Sequence, residues 1–143
     1  MARALPLRFR LHLWFAARLL PVWIGFRGLE RILQDATPAR PATPYLGLSS
    51  EDVVGAVRST VARSWLMRDR RCLRRTLLAF RFLRLAGYEA VIHFAVSPPG
   101  NSPRLRAHCW VTLDGVCLLD QPAKDMVALA GWDGALRAAI VDG

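Results

Sequence analysis

A change of period at Gly87 constrains the fold of this chain more than any other feature. Upstream of it, Cys72-Leu-Arg-Arg-Thr-Leu-Leu-Ala-Phe-Arg-Phe-Leu-Arg-Leu-Ala-Gly87 reads as one helix, closed by a residue suited to a left-handed cap. Downstream, Glu89 to Val96 is rich in β-branched and aromatic residues and stops at Ser97-Pro-Pro-Gly-Asn-Ser-Pro103, a loop that no strand crosses. Two further apolar runs, Ala107 to Leu113 and Val116 to Asp120, flank Asp114-Gly115, a dipeptide that favours a two-residue hairpin turn. Helices followed by short antiparallel strands predict an α+β fold. With 143 residues and 53% hydrophobic content, the chain suffices for one compact core and is too short for two.

The first part of the chain is helical in a different way. Leu11 to Phe26 is apolar, but it contains Arg18, is interrupted by Pro21 and falls short of the roughly 20 residues of a spanning helix. Arg8, Arg10, Arg18, Arg27 and Arg31 are spread through it, unlike the leading charges of a signal peptide. Two helices facing the interior or an interface are expected, with membrane contact disfavoured, although Trp14 and Trp23 among arginines also suit an interfacial helix. Pro38, Pro41 and Pro44 then mark a linker, so 1–47 reads as a helical region with its linker and 48–143 as the segment that holds the chemistry. The next helix is expected to begin at Ser49 or Ser50, where Ser49-x-x-Asp52 is a loose capping pattern, and Val53, Val57, Val61 and Trp65 recur at intervals of four along its buried stripe.

Three residues carry a pattern of nucleophilic catalysis. Cys72 opens a helix, where unpaired N–H groups and the macrodipole favour a thiolate. His108 lies near the start of one hairpin strand and Asp120 at the end of its neighbour. A strict two-residue turn pairs His108 with Gln121, so a bulge or a longer turn is needed to bring Asp120 into register with the imidazole. Asp114 is accounted for by turn chemistry. Cys109 and Cys117 read as small core residues, and His12 and His93 as structural histidines. No Cys-x-x-Cys spacing supports a zinc site, and neither metal nor cofactor is expected. Three cysteines without a signal peptide point to a reducing, cytoplasmic setting.

Cys72-Leu-x-Arg-x-Leu with Leu-x-x-Ala-Gly87, followed by Ala107-His108-x-Trp110-Val111 and Asp114-Gly115, resembles the transglutaminase-like leader peptidases of lasso peptide biosynthesis. The resemblance spans about Ser49 to Gln121. It implies a transglutaminase- or papain-like core, with the nucleophile at a helix N-terminus packed on a small antiparallel sheet. It also implies a cysteine protease that removes the leader of a ribosomally made precursor peptide, with Cys72, His108 and Asp120 as nucleophile, base and orienting acid. The partners it implies are the precursor peptide, a separate leader-recognition domain protein and an ATP-dependent lasso cyclase. The family usually has a small aliphatic residue where this chain has Cys109, which strand alternation turns away from the face of His108.

Two other classes of function fit parts of the same sequence. A thioester at Cys72 can be resolved by an amine instead of water, giving an acyltransferase or transglutaminase. The net charge of +9, almost all arginine, also allows a basic binding protein. In that reading Arg68, Arg70, Arg71, Arg74, Arg75, Arg81 and Arg84 line one surface for nucleic acid or an acidic peptide, but no nucleic-acid motif accompanies them.

Overall fold

The computed structural model describes residues 4–38, 43–63, 71–96, 107–119 and 126–138. Four helices precede a five-stranded antiparallel sheet, the α+β arrangement expected from the change of period: α1 (Leu7–Phe26), α2 (Leu29–Ala36), α3 (Ser50–Arg63), α4 (Arg71–Leu85), β1 (Val91–Val96), β2 (Ala107–Leu113), β3 (Val116–Leu119), β4 (Val127–Trp132) and β5 (Leu136–Ala138). The strands lie in the order β3-β2-β1-β4-β5.

The central element is α4. Leu77, Leu78, Ala79, Phe80, Phe82, Leu83, Leu85 and Ala86 are all buried, so the helix is apolar around most of its circumference and must be covered on every side. The sheet, chiefly β2, packs on one side, and α1, α2 and α3 on the others. Phe9, Leu13 and Ala17 of α1 join Val53, Val57 and Val61 of α3 and Ile92, Val111 and Trp132 of the sheet in one continuous core. The α3 stripe thus appears as the period-four pattern predicts; Trp65 lies outside the described residues. Ser49 accepts a hydrogen bond from the Asp52 N–H at 3.1 Å, which caps α3.

Two expectations about the helices need correction. Pro21 does not divide the N-terminal segment, because α1 is a single helix of 20 residues with Pro21 inside it and the break falls at Arg27-Gly28. A proline cannot donate to the carbonyl four residues earlier, which leaves the Ala17 oxygen without its helical partner. The Arg74 guanidinium from α4 donates to that same oxygen. Helix α1 therefore continues because tertiary structure supplies the donor that its own backbone lacks.

The second correction concerns the basic surface. Arg74 is fully buried. Arg81 and Arg84, both half-buried, also donate to main-chain oxygens, Arg81 to Asp35 at 2.9 Å and Arg84 to Ala90 and Asp133 at 3.1 and 2.6 Å. These α4 arginines tie the helix to α1, α2 and the sheet instead of lining a face for polyanions. Arg68 and Arg70 lie outside the described residues.

Turn chemistry fixes the ends of the remaining elements. Gly87 has φ +93°, and Tyr88 N–H reaches back to the Leu83 carbonyl at 2.9 Å, closing α4 with the left-handed cap read from sequence. Asp114 and Gly115 both have positive φ, 51° and 80°, as a type I′ turn requires. Leu113 faces Val116 and Thr112 faces Cys117, after which the pairing shifts by one residue so that Leu119 faces Val111. The sum of paired positions thereby rises from 229 to 230, whereas setting position 120 opposite His108 would need 228, so this bulge runs opposite to the shift that the register count calls for.

Candidate active site

Cys72 is the second residue of α4 and His108 the second of β2. The Cys72 Sγ lies 3.2 Å from His108 Nδ1, and both side chains are half-buried. Described pairing between β2 and β3 ends at Val111, and the first turn of α4 meets β2 beyond that point. There the Cys109 N–H donates to the Cys72 sulfur at 3.3 Å, while the Cys109 carbonyl accepts from the thiol at 3.0 Å. Thr76, one helical turn after Cys72 and on the same face, donates its hydroxyl to that carbonyl at 3.2 Å. The sulfur is thus fixed from two sides by the main chain of the strand that carries the histidine.

Alternation along β2 turns His108, Trp110 and Thr112 to one face and Cys109 and Val111 to the core. On the first face the His108 ring stacks on Trp110 at 6.1 Å, and Trp110 stacks on His93 at 5.4 Å. His93 Nε2 lies 2.7 Å from Thr112 Oγ1, and burial lowers the His93 pKa below its ordinary value. An imidazole whose charged form is disfavoured by burial thus backs the indole that supports His108. His93 is structural, as expected, but its structure belongs to the site. The signal for it lay in antiparallel pairing, since β1 puts His93 opposite Trp110.

His12 sits away from this region, with Nδ1 2.7 Å from the Tyr45 hydroxyl. Desolvation, aided by the charge of Arg81, lowers its pKa. Cys117 is half-buried on β3 and its thiol faces the Leu119 carbonyl at 3.5 Å.

Cys109 departs from its assigned place. It is a buried core residue, and strand alternation does turn it from the His108 face. Yet its Sγ lies 3.4 Å from that of Cys72. A nucleophile at the edge of a strand can touch side chains from both faces, so the expectation that Cys109 stands apart from the site is overturned. Thr76 was likewise not singled out in the sequence; its i,i+4 spacing from Cys72 was the available signal. Asp120 lies outside the described residues.

Chemically, a thiol beside an imidazole can lose its proton and attack an acyl carbon. With Nδ1 toward sulfur, Nε2 is the ring atom left for an orienting group. Among the described residues no group of three or more His, Cys, Asp or Glu side chains is disposed to hold a metal ion, and no helix is long and apolar enough to cross a membrane.

No curated protein and no solved structure matches the chain. A family described as Transglutaminase-like superfamily matches residues 9–129, from α1 into β4. The match covers most of the chain, including the helix that opens with Cys72 and the strand that carries His108, and on this basis the chain belongs to the transglutaminase-like superfamily, which includes cysteine proteases and acyltransferases.

Proposed function

We propose that this protein is a cysteine peptidase that removes the leader from a ribosomally synthesised lasso precursor peptide before a partner cyclase forms the macrolactam. The observation that carries the reading is the 3.2 Å contact between Cys72 Sγ and His108 Nδ1, formed between a helix N-terminus and a strand. His108 takes the thiol proton, and the thiolate attacks the carbonyl at the junction of leader and core. The imidazolium then returns its proton to the departing amine, and water hydrolyses the thioester. The Cys72 backbone N–H is one candidate oxyanion donor, a contribution of about 3 kcal/mol. Asp120 is assigned to orient His108 through Nε2. Its support is its place in the sequence directly after Leu119, which faces Val111 on the strand that carries His108.

The leader-recognition protein and the ATP-dependent cyclase are proposed partners. Exposed Trp14, Phe15, Leu19, Val22, Trp23 and Phe26 on α1 give the chain an apolar face for such contacts. Beside them a groove of about 350 Å³ runs between α1, α2 and α4, floored by Leu77 and Leu78.

The test is incubation of the protein with candidate precursors and the recognition protein, followed by mass analysis. Two fragments summing to the precursor plus one water are expected, with none from Cys72→Ala or His108→Ala; full activity of Cys72→Ala would refute the assignment. The same spectra separate the second reading, acyl transfer, which gives a conjugate that keeps the donor acyl group.

A further inference from the structure

We infer that Cys72 and Cys109 form a redox modification site, in which a hydroperoxide converts the two thiols to a reversible disulfide. The two sulfurs already lie 3.4 Å apart. A disulfide needs about 2.05 Å, so the side chains must close by a little over 1 Å, a displacement within reach of modest χ1 rotations. The residues come from different elements, 37 positions apart in sequence, and fold-level packing of α4 on β2 brings them together.

Exposure assigns the two roles. Cys72 is half-buried beside an imidazole, whereas Cys109 is only 4% exposed, so a small oxidant meets Cys72 first and Cys109 resolves the product. The Cys72 thiolate attacks one peroxide oxygen and the O–O bond breaks, giving Cys72 sulfenic acid and hydroxide. The Cys109 sulfur then displaces the sulfenic oxygen as the second hydroxide, and the S–S bond forms. The two thiol protons end on these hydroxides, so two thiols and one hydrogen peroxide give one disulfide and two waters. A dithiol reductant reverses the step. Without Cys109, the sulfenic acid remains open to further oxidation to the sulfinic acid, which a dithiol does not reverse.

The disulfide itself requires only the geometry. Its consequence for catalysis rests on the peptidase reading: crosslinking draws the sulfur toward Cys109 and removes it as a nucleophile for His108 to activate.

The full chain carrying Cys117→Ala, which keeps the other two thiols, is reduced and then exposed to equimolar hydrogen peroxide. It is denatured with N-ethylmaleimide and weighed. Expected is a loss of two hydrogens with no maleimide added, and recovery of both thiols after dithiothreitol. A product with a maleimide on Cys109 and added oxygen on Cys72 would overturn the proposal. Cys109→Val in the same background keeps the buried position filled with an apolar side chain. Because sulfinic acid consumes two peroxides per thiol, this variant and its Cys109 parent are compared at excess peroxide, where the variant is expected to accumulate irreversibly oxidised Cys72 and recovery as complete as the parent's would also overturn the proposal. Precursor cleavage is followed in parallel. If the disulfide forms and breaks while cleavage is unaffected, the peptidase reading fails and the redox site stands.

Discussion

The bond between Arg74 and the Ala17 carbonyl can be weighed with a double-mutant cycle. Pro21 withholds the N–H that would ordinarily serve that oxygen, and the buried guanidinium replaces it. Arg74→Met keeps a long apolar stem but removes a charged donor, a loss of about 1.5–3 kcal/mol, and leaves a buried carbonyl short of a partner. Removing a buried charge returns part of this, because burial disfavours the guanidinium and lowers its pKa. A net destabilisation of about 2 kcal/mol is expected, or roughly 4–8 °C in Tm for a domain of this size. In a Pro21→Ala background the new N–H donates to Ala17, so Arg74→Met should cost about 1 kcal/mol less. Urea unfolding of the four proteins, followed by tryptophan fluorescence, measures the coupling. If Arg74→Met costs the same in both backgrounds, to within about 0.3 kcal/mol, Arg74 does not substitute for the missing amide and the account of α1 fails.

Other perturbations test the site and its frame. Asp120→Asn should lower kcat for precursor cleavage by about 10³-fold or more if Asp120 orients the imidazole, and a change under twofold would remove it from the mechanism. Gly87→Ala should destabilise the protein by at least about 1–2 kcal/mol in chemical unfolding, because φ is +93° and an added Cβ would lie 2.8 Å from Leu46 Cδ1; an unchanged midpoint would refute the cap. His93 and His12 are both held below the ordinary imidazole value of 6.5 by burial. The unfolded chain therefore binds protons first as pH falls through 6.5, and stability should decline from there until the folded imidazoles titrate in turn. His93→Gln should flatten this decline in Tm between about pH 7 and 5.5, and an identical slope in parent and variant would contradict the assignment.

Several features needed only local sequence. Gly87 closes α4 because positive φ is cheap for glycine, Asp114-Gly115 makes the hairpin because both residues tolerate that region, and Ser49 caps α3 with its own side chain. The positions of Cys72 at a helix start and His108 near a strand start follow from these punctuation marks, and with them the α+β order of elements. Tertiary structure decided the rest. Strand alternation correctly turned Cys109 from His108, but only the docking of α4 at the edge of β2 put its sulfur against Cys72. Nor does a run of arginines reveal which ones will satisfy buried carbonyls, since those acceptors lie on elements distant in sequence. Pro21 is the clearest case: chain-local rules end the helix there, and a guanidinium 53 residues further along lets it continue, because an unpaired backbone oxygen accepts any donor that packing brings to it.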